Sequence, residues 1–158
     1  MQKSISPSTE HASMVRQQRC RHFFGYLQSE YYTVLLDFQT FDASKFKDGN
    51  IFSIAFAGSF LHALKRNRLS ENTALEKACA DLKNAAVISN SIFSLKELFE
   101  CLRDICAASD KLIVLMIDEV DSASNNQVFL DFFGTAQGAI YRTCLAACVS
   151  ICYPCRSI

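Results

Sequence analysis

The chain has 158 residues, half of them hydrophobic, and its 16 Lys and Arg offset 16 Asp and Glu, a balance that removes any electrostatic argument for a nucleic-acid or membrane-surface partner. Such a composition belongs to a globular domain with a real core rather than to a disordered chain. No apolar run reaches the ~20 residues of a membrane span, and the polar N-terminus holds no signal-peptide core, so a cytoplasmic protein is expected and its eight cysteines read as free thiols.

Residues 1–25 carry Ser, Gln and Arg without an apolar period and are expected to be irregular. From Tyr31, "YYTVLLDFQTFD" is a β-branched and aromatic run that ends in an acid, the pattern of a buried parallel strand. A helix follows in "FKDGNIFSIAFAGSFLHALKRN", with Asp48 or Asn50 as its cap and Ile51, Ile54, Phe56, Phe60, Leu61 and Leu64 as its apolar positions. Good helix formers fill "SENTALEKACADLKNAAVI", where Leu75, Ala78, Cys79 and Leu82 share a side. In "SLKELFECLRDICAAS" Ser94 and Glu97 have the spacing of a capping box, ahead of a stripe of Leu95, Leu98, Phe99, Leu102 and Ile105. A second strand over Leu112–Ile117, a short loop "DSASNN" and a helix from Gln127 with Val128, Phe129, Phe132 and Phe133 complete the core. Strands of parallel type alternating with helices predict an α/β domain of three layers.

The most informative stretch is "KLIVLMIDEVD", Lys111 to Asp121. In open α/β sheets ligands bind outside the carboxyl ends of the strands, so acids placed directly after Ile117 would face a crevice. A hydrophobic strand followed by Asp and Glu is the Walker B pattern of nucleotide hydrolases, in which the Asp holds Mg²⁺ and the Glu orients or deprotonates the attacking water. That pattern makes Asp118 the metal acid and Glu119 the catalytic base. The competing explanation is that an acid at a strand end caps the following turn; Asp121 in particular has the position to cap the helix after Asn125.

"YTVLLDFQTFD", followed about eighty residues later by "IVLMIDEVDSASNNQVFLDF", resembles the AAA-like P-loop ATPases of bacteria. The resemblance runs from Tyr26 to about Phe132. It implies a P-loop NTPase-like core with a parallel sheet over residues 26–133, a strand ending in Asp37, Phe38 and Gln39 beside the Walker B strand, and Mg²⁺ and ATP as the ligands of the parent family. One part is missing. A P-loop needs a glycine-rich turn with Lys and Ser or Thr to cradle phosphates, and none of Gly25, Gly49, Gly58, Gly134 and Gly138 precedes such a pair. Val15, Arg16 and Gln17 resemble the family's lead-in to that loop. The core is therefore expected to be incomplete, the product of a truncated or frameshifted gene for a longer ATPase, with nucleotide binding weak or lost and ATP turnover absent.

Residues 134–158 differ in composition from what precedes them. "CLAACVSICYPC" sets Cys144, Cys148 and Cys152 at four-residue steps, one stripe of a helix, with Cys155 after Pro154. A zinc site needs converging ligands, usually two short-spaced pairs, and the run has no second pair; a packing or aggregation liability is the expectation. His11, His22 and His62 lie far apart with no arrangement for nucleophilic catalysis, and Arg142 falls in the atypical tail. The reading that competes with an ATPase core is a noncatalytic α/β module that binds a protein partner or associates with itself, in which the acids after Ile117 are strand caps only.

Overall fold

The computed structural model describes residues 30–67, 69, 72–88, 93–118, 120, 123–140 and 145–149. In chain order these form β1 (Tyr32–Asp37), α1 (Gly49–Leu64), α2 (Thr73–Ile88), α3 (Leu95–Ala108), β2 (Ile113–Asp118), α4 (Gln127–Ile140) and β3 (Leu145–Val149). Two 3-10 turns, Phe38–Thr40 and Ala43–Phe46, join β1 to α1. The chain is α/β. The three strands among the described residues make one parallel sheet in the order β1-β2-β3.

Parallel strands cannot be joined by a tight turn, and α1, α2 and α3 all lie in the crossover between β1 and β2. The register runs from Tyr32 opposite Ile113 to Asp37 opposite Asp118. Because strand side chains alternate, the paired rows Tyr32 and Ile113, Val34 and Leu115, Leu36 and Ile117 point into one core shared with the helices. The opposite rows are Thr33 and Val114, Leu35 and Met116, Asp37 and Asp118. β2 is buried from Ile113 to Ile117 on both faces, as a central strand of a parallel sheet should be. The amino end of the pair is pinned by the Tyr32 hydroxyl, which donates to Asp110 Oδ1 at 2.9 Å, and by Lys111 Nζ, 5.6 Å from the centre of the Tyr32 ring.

Asp48 caps α1, its carboxylate accepting from the Ile51 N–H at 2.8 Å. The other expected cap, Asn50, instead accepts from the Phe93 N–H at 2.8 Å and so ties α1 to the start of α3. The buried stripe of α1 is Phe52, Phe56, Phe60 and Leu64. This corrects the expected stripe, which included Ile54 and omitted Phe52: at 100° per residue Ile54 stands far around the helix from Phe52, and it is exposed. α2 begins at Asn72, whose Oδ1 accepts from Ala74 and Leu75 at 3.0 and 3.2 Å while Nδ2 donates to the Ala108 carbonyl at 2.8 Å. One side chain thus satisfies the open donors of α2 and an open acceptor at the end of α3.

The capping box of α3 is present as expected, with the Ser94 hydroxyl and the Glu97 carboxylate each serving the other's backbone. The Ser94 N–H and hydroxyl on the Glu97 carboxylate hold its pKa below the usual value. Their contribution is present above the unfolded-state pKa of Glu97 and is lost as the pH falls through the lowered folded-state value. Leu98, Leu102 and Ile105 are buried, with Leu95 and Phe99 packed against them.

Ten phenylalanines knit these elements together beneath the carboxyl end of β1. Phe38 meets Phe41, Phe46, Phe52 and Phe129, with ring centres 4.8 to 6.3 Å apart. Phe132 of α4 meets Phe52 and Phe56 of α1 at 5.2 and 4.7 Å and stacks on Phe99 of α3 at 5.3 Å. Phe60 and Phe133 extend the cluster at either end.

One expectation changes at the C-terminal end. Residues 145–149 form β3, paired with β2 from Ile113 opposite Leu145 to Ile117 opposite Val149, so Cys148 lies in a strand and not on a helical cysteine stripe. A four-residue spacing does not by itself select a helix, and here the unpaired side of β2 offers five ladder positions to "LAACV". Cys144, Cys152 and Cys155 lie outside the described residues. α4 runs through Gly134 to Ile140. The described helices gather in the core on one face of the sheet; among the described residues this accounts for one of the two helical layers expected. No helix among the described residues is long and apolar enough to cross a membrane.

Phe52 is fully buried and touches rings from both 3-10 turns, α1 and α4. Phe52→Ala is expected to lower the unfolding free energy by about 3–5 kcal/mol in a denaturant titration, whereas Ile54→Ala should cost under about 1 kcal/mol.

Candidate functional site

β1 and β2 both end in aspartate, and the register sets those aspartates directly opposite each other at the carboxyl edge of the sheet. Adjacent strands lie about 4.8 Å apart, so Asp37 and Asp118 form a local pair of acids on the same face. They differ in surroundings. Asp37 is exposed, and its Oδ1 accepts from the Gln39 N–H at 2.8 Å while its carbonyl accepts from the Thr40 hydroxyl at 2.7 Å. It therefore caps the turn after β1, the role that the structural explanation assigns to strand-end acids. Asp118 is half-buried beside it at the end of the central strand.

After β2 the chain turns through Val120 and Ala123, both buried, with the Ala123 N–H on the Val120 carbonyl and the Asn126 N–H on the Ala123 carbonyl, each at 2.9 Å. This turn aims the chain into α4, whose Leu130 N–H reaches the Asn126 carbonyl at 3.1 Å. Glu119 and Asp121 lie outside the described residues, as do His11, His22 and Arg142.

Mg²⁺ is usually held by one or two carboxylates and completes its shell with water and phosphate oxygens. An acid pair at a strand end suits that demand, with Asp118 and Asp37 as the groups that would hold the ion. Among the described residues there is no group of three or more His, Cys, Asp or Glu that could enclose a metal outright. A phosphate cradle is a different matter. Gly49, Gly58 and Gly134 all sit inside helices with ordinary helical backbone angles, and so none makes the left-handed turn or nest of N–H groups that would wrap a phosphate. The described residues do not fit the nucleotide's phosphates.

Among the described residues thiol chemistry finds no support either. Cys79 and Cys101 are partly buried, and burial pushes both thiols up, helped at Cys101 by the nearby Asp104 and Glu100 carboxylates. Such thiols stay protonated and unreactive at neutral pH.

The structure also builds a site that the sequence did not announce. Asn67, just beyond α1, accepts from the Thr33 N–H through Oδ1 at 3.0 Å and donates through Nδ2 to the Thr33 carbonyl at 2.9 Å. The same Nδ2 reaches the Ala63 and Leu64 carbonyls at the end of α1, at 3.3 and 3.1 Å. Asn67 thus stands where a further strand would pair with β1 and closes the end of α1 at the same time. Below it a cleft of about 350 Å³ runs between β1 and α1, where Asp37, Thr40, Ser59, His62 and Arg66 come together. His62 is exposed on the cleft wall. The available signal for Asn67 was its place after a helix end, where Asn is favoured; its partner Thr33 is 34 residues away and could not be read from spacing.

Compared with protein families, with curated proteins and with solved structures, the chain finds no match.

Removing the Asn67 amide leaves the Thr33 N–H and carbonyl without their partner. Asn67→Ala is expected to lower stability by about 1–3 kcal/mol and to speed amide hydrogen exchange at Thr33. Unchanged exchange there would show that the amide contributes nothing to the strand edge.

Proposed function

We propose that this chain is a partial AAA-like ATPase core that keeps the acidic end of a Mg²⁺-nucleotide site and, by itself, binds Mg·ATP weakly and does not turn it over. The observation that supports this most is the position of Asp118, half-buried at the carboxyl end of the central parallel strand and in register with Asp37. This edge is where α/β domains bind their ligands. In this reading Asp118 is the acid that holds Mg²⁺, with Asp37 beside it, and Glu119 is the residue placed to orient or deprotonate a water. Bound Mg²⁺ would supply neutralisation of phosphate charge. Positioning of the phosphates is the missing part: no glycine-rich turn with Lys and Ser or Thr occurs in the sequence, and a nucleotide held by the acid end alone lacks its main positioning and charge-neutralising contacts.

The outer edge of β1, which no strand among the described residues covers, favours a second reading, a noncatalytic α/β module that binds a protein partner. In that case Asp118 and Glu119 need only end a strand. The two readings separate in one set of variants.

Isothermal titration with Mg·ATP is expected to show no tight binding. Micromolar binding with turnover abolished by Glu119→Gln would overturn the inactive assignment. In the double variant Asp118→Asn, Glu119→Gln, loss of a Mg²⁺-induced rise in melting temperature supports the metal site. A Mg²⁺ response absent from both proteins, together with unchanged or higher stability of the variant, supports the binding module.

A further inference from the structure

A parallel strand turns the backbone groups of alternate residues to opposite sides. The Tyr32 N–H donates to the Leu112 carbonyl at 2.9 Å, so Tyr32, Val34 and Leu36 face β2 while Thr33, Leu35 and Asp37 face outward. At Thr33 the outward N–H and carbonyl are met by the side-chain amide of Asn67, at 3.0 and 2.9 Å. This amide reproduces the paired bonds that a neighbouring strand would make. Two residues on, at Leu35, no side chain among the described residues plays that part, and the cleft between β1 and α1 opens instead. The Leu35 side chain is 40% exposed, and on the facing wall a Cβ placed on Gly58 would meet no atom within 4 Å. There is thus room for a chain to lie against the strand.

His62, in the last turn of α1, and Arg66, in the turn just beyond its end, both line the cleft. The Asp37 carboxylate, with Oδ1 accepting from the Gln39 N–H, keeps its charge at the end of β1 two residues past Leu35, whereas Arg66 forms no ion pair among the described residues. A guanidinium is suited to bind a carboxylate through two parallel hydrogen bonds. α1 flanks β1 along the cleft.

We propose that the outer edge of β1 is a docking site for an extended acidic peptide, which pairs its backbone with Leu35 and places a Glu or Asp side chain against Arg66 and His62. This is strand addition to an open sheet edge, where backbone hydrogen bonds give affinity and a side-chain subsite gives selectivity. The site meets the carboxyl edge of the sheet at Asp37, which lines the cleft and stands opposite Asp118, and it does not depend on nucleotide binding.

The probe is an acetylated and amidated peptide of sequence Thr-Val-Glu-Val-Thr, titrated into the isotope-labelled full chain and followed by amide chemical shifts. A saturable shift centred on the Leu35 amide is expected, with slower hydrogen exchange at that amide in the complex. Replacing the central Glu of the probe by Lys, or Arg66 by Ala in the protein, should weaken binding about tenfold, the worth of one charge-assisted hydrogen bond. A probe N-methylated at the amide before Glu tests backbone pairing without touching the fold, and it should bind still more weakly. The proposal is overturned if the Leu35 amide does not shift up to ~1 mM probe, if Glu and Lys probes bind alike, or if the N-methylated probe binds as well as its parent.

Discussion

Pairing β1 with β2 in parallel obliges the chain to return along the whole sheet between Asp37 and Ile113, and three helices make that journey. A shift of one residue would turn the core row of β1 outward and bring Thr33, Leu35 and Asp37 into the core. The register is held at both ends by side chains rather than by the ladder alone. At the amino end the Tyr32 hydroxyl bonds Asp110, and at the carboxyl end Phe38 plugs the ring cluster formed with α1 and α4. The asparagines act as staples within the crossover: Asn50 joins α1 to the start of α3, Asn72 joins α2 to the end of α3, and Asn67 joins α1 to β1.

This framework gives the sheet two exposed margins with different chemistry. The carboxyl margin carries the Asp37 and Asp118 pair, and its polar groups suit a hydrated divalent cation. The lateral margin of β1 carries outward backbone groups, covered at Thr33 by Asn67 and bordered below by the cleft with His62 and Arg66. Asp37 belongs to both margins, since it pairs with Asp118 in register and also lines the cleft. Its carboxylate is fixed by the turn that follows β1, which keeps the two margins in a set relation.

Local signals survived into the structure where one residue type has one strong preference. Ser94 and Glu97 cap α3, Asp48 caps α1, and the stripes of α2 and α3 face the core as their periods indicate, with Leu75, Leu82, Leu98, Leu102 and Ile105 buried and the rest partly so. Asp118 at a strand end, and the strand ending in Asp37 beside it, were legible from the apolar runs and from the resemblance that joined them. Features set by long-range geometry were not. The nearly all-apolar α1 hides which of its faces is buried, so Phe52 escaped and Ile54 was misplaced. β3 exists through pairing with β2, and the spacing of its cysteines pointed elsewhere. Asn67 looked like the end of a helix, and its bond to Thr33 depends on where α1 meets the sheet. The proposed base, Glu119, lies outside the described residues, so its role rests on the sequence pattern alone.

The central claim is that the acids closing β1 and β2 form a cation site. Paramagnetic line broadening by substoichiometric Mn²⁺, a stand-in for Mg²⁺, tests it most directly, because the effect falls steeply with distance from the bound ion. The account predicts selective broadening of the Asp37, Asp118 and Val120 amides, abolished by Asp118→Asn. Broadening spread over exposed acids such as Glu76 and Glu100, unchanged in that variant, would contradict it.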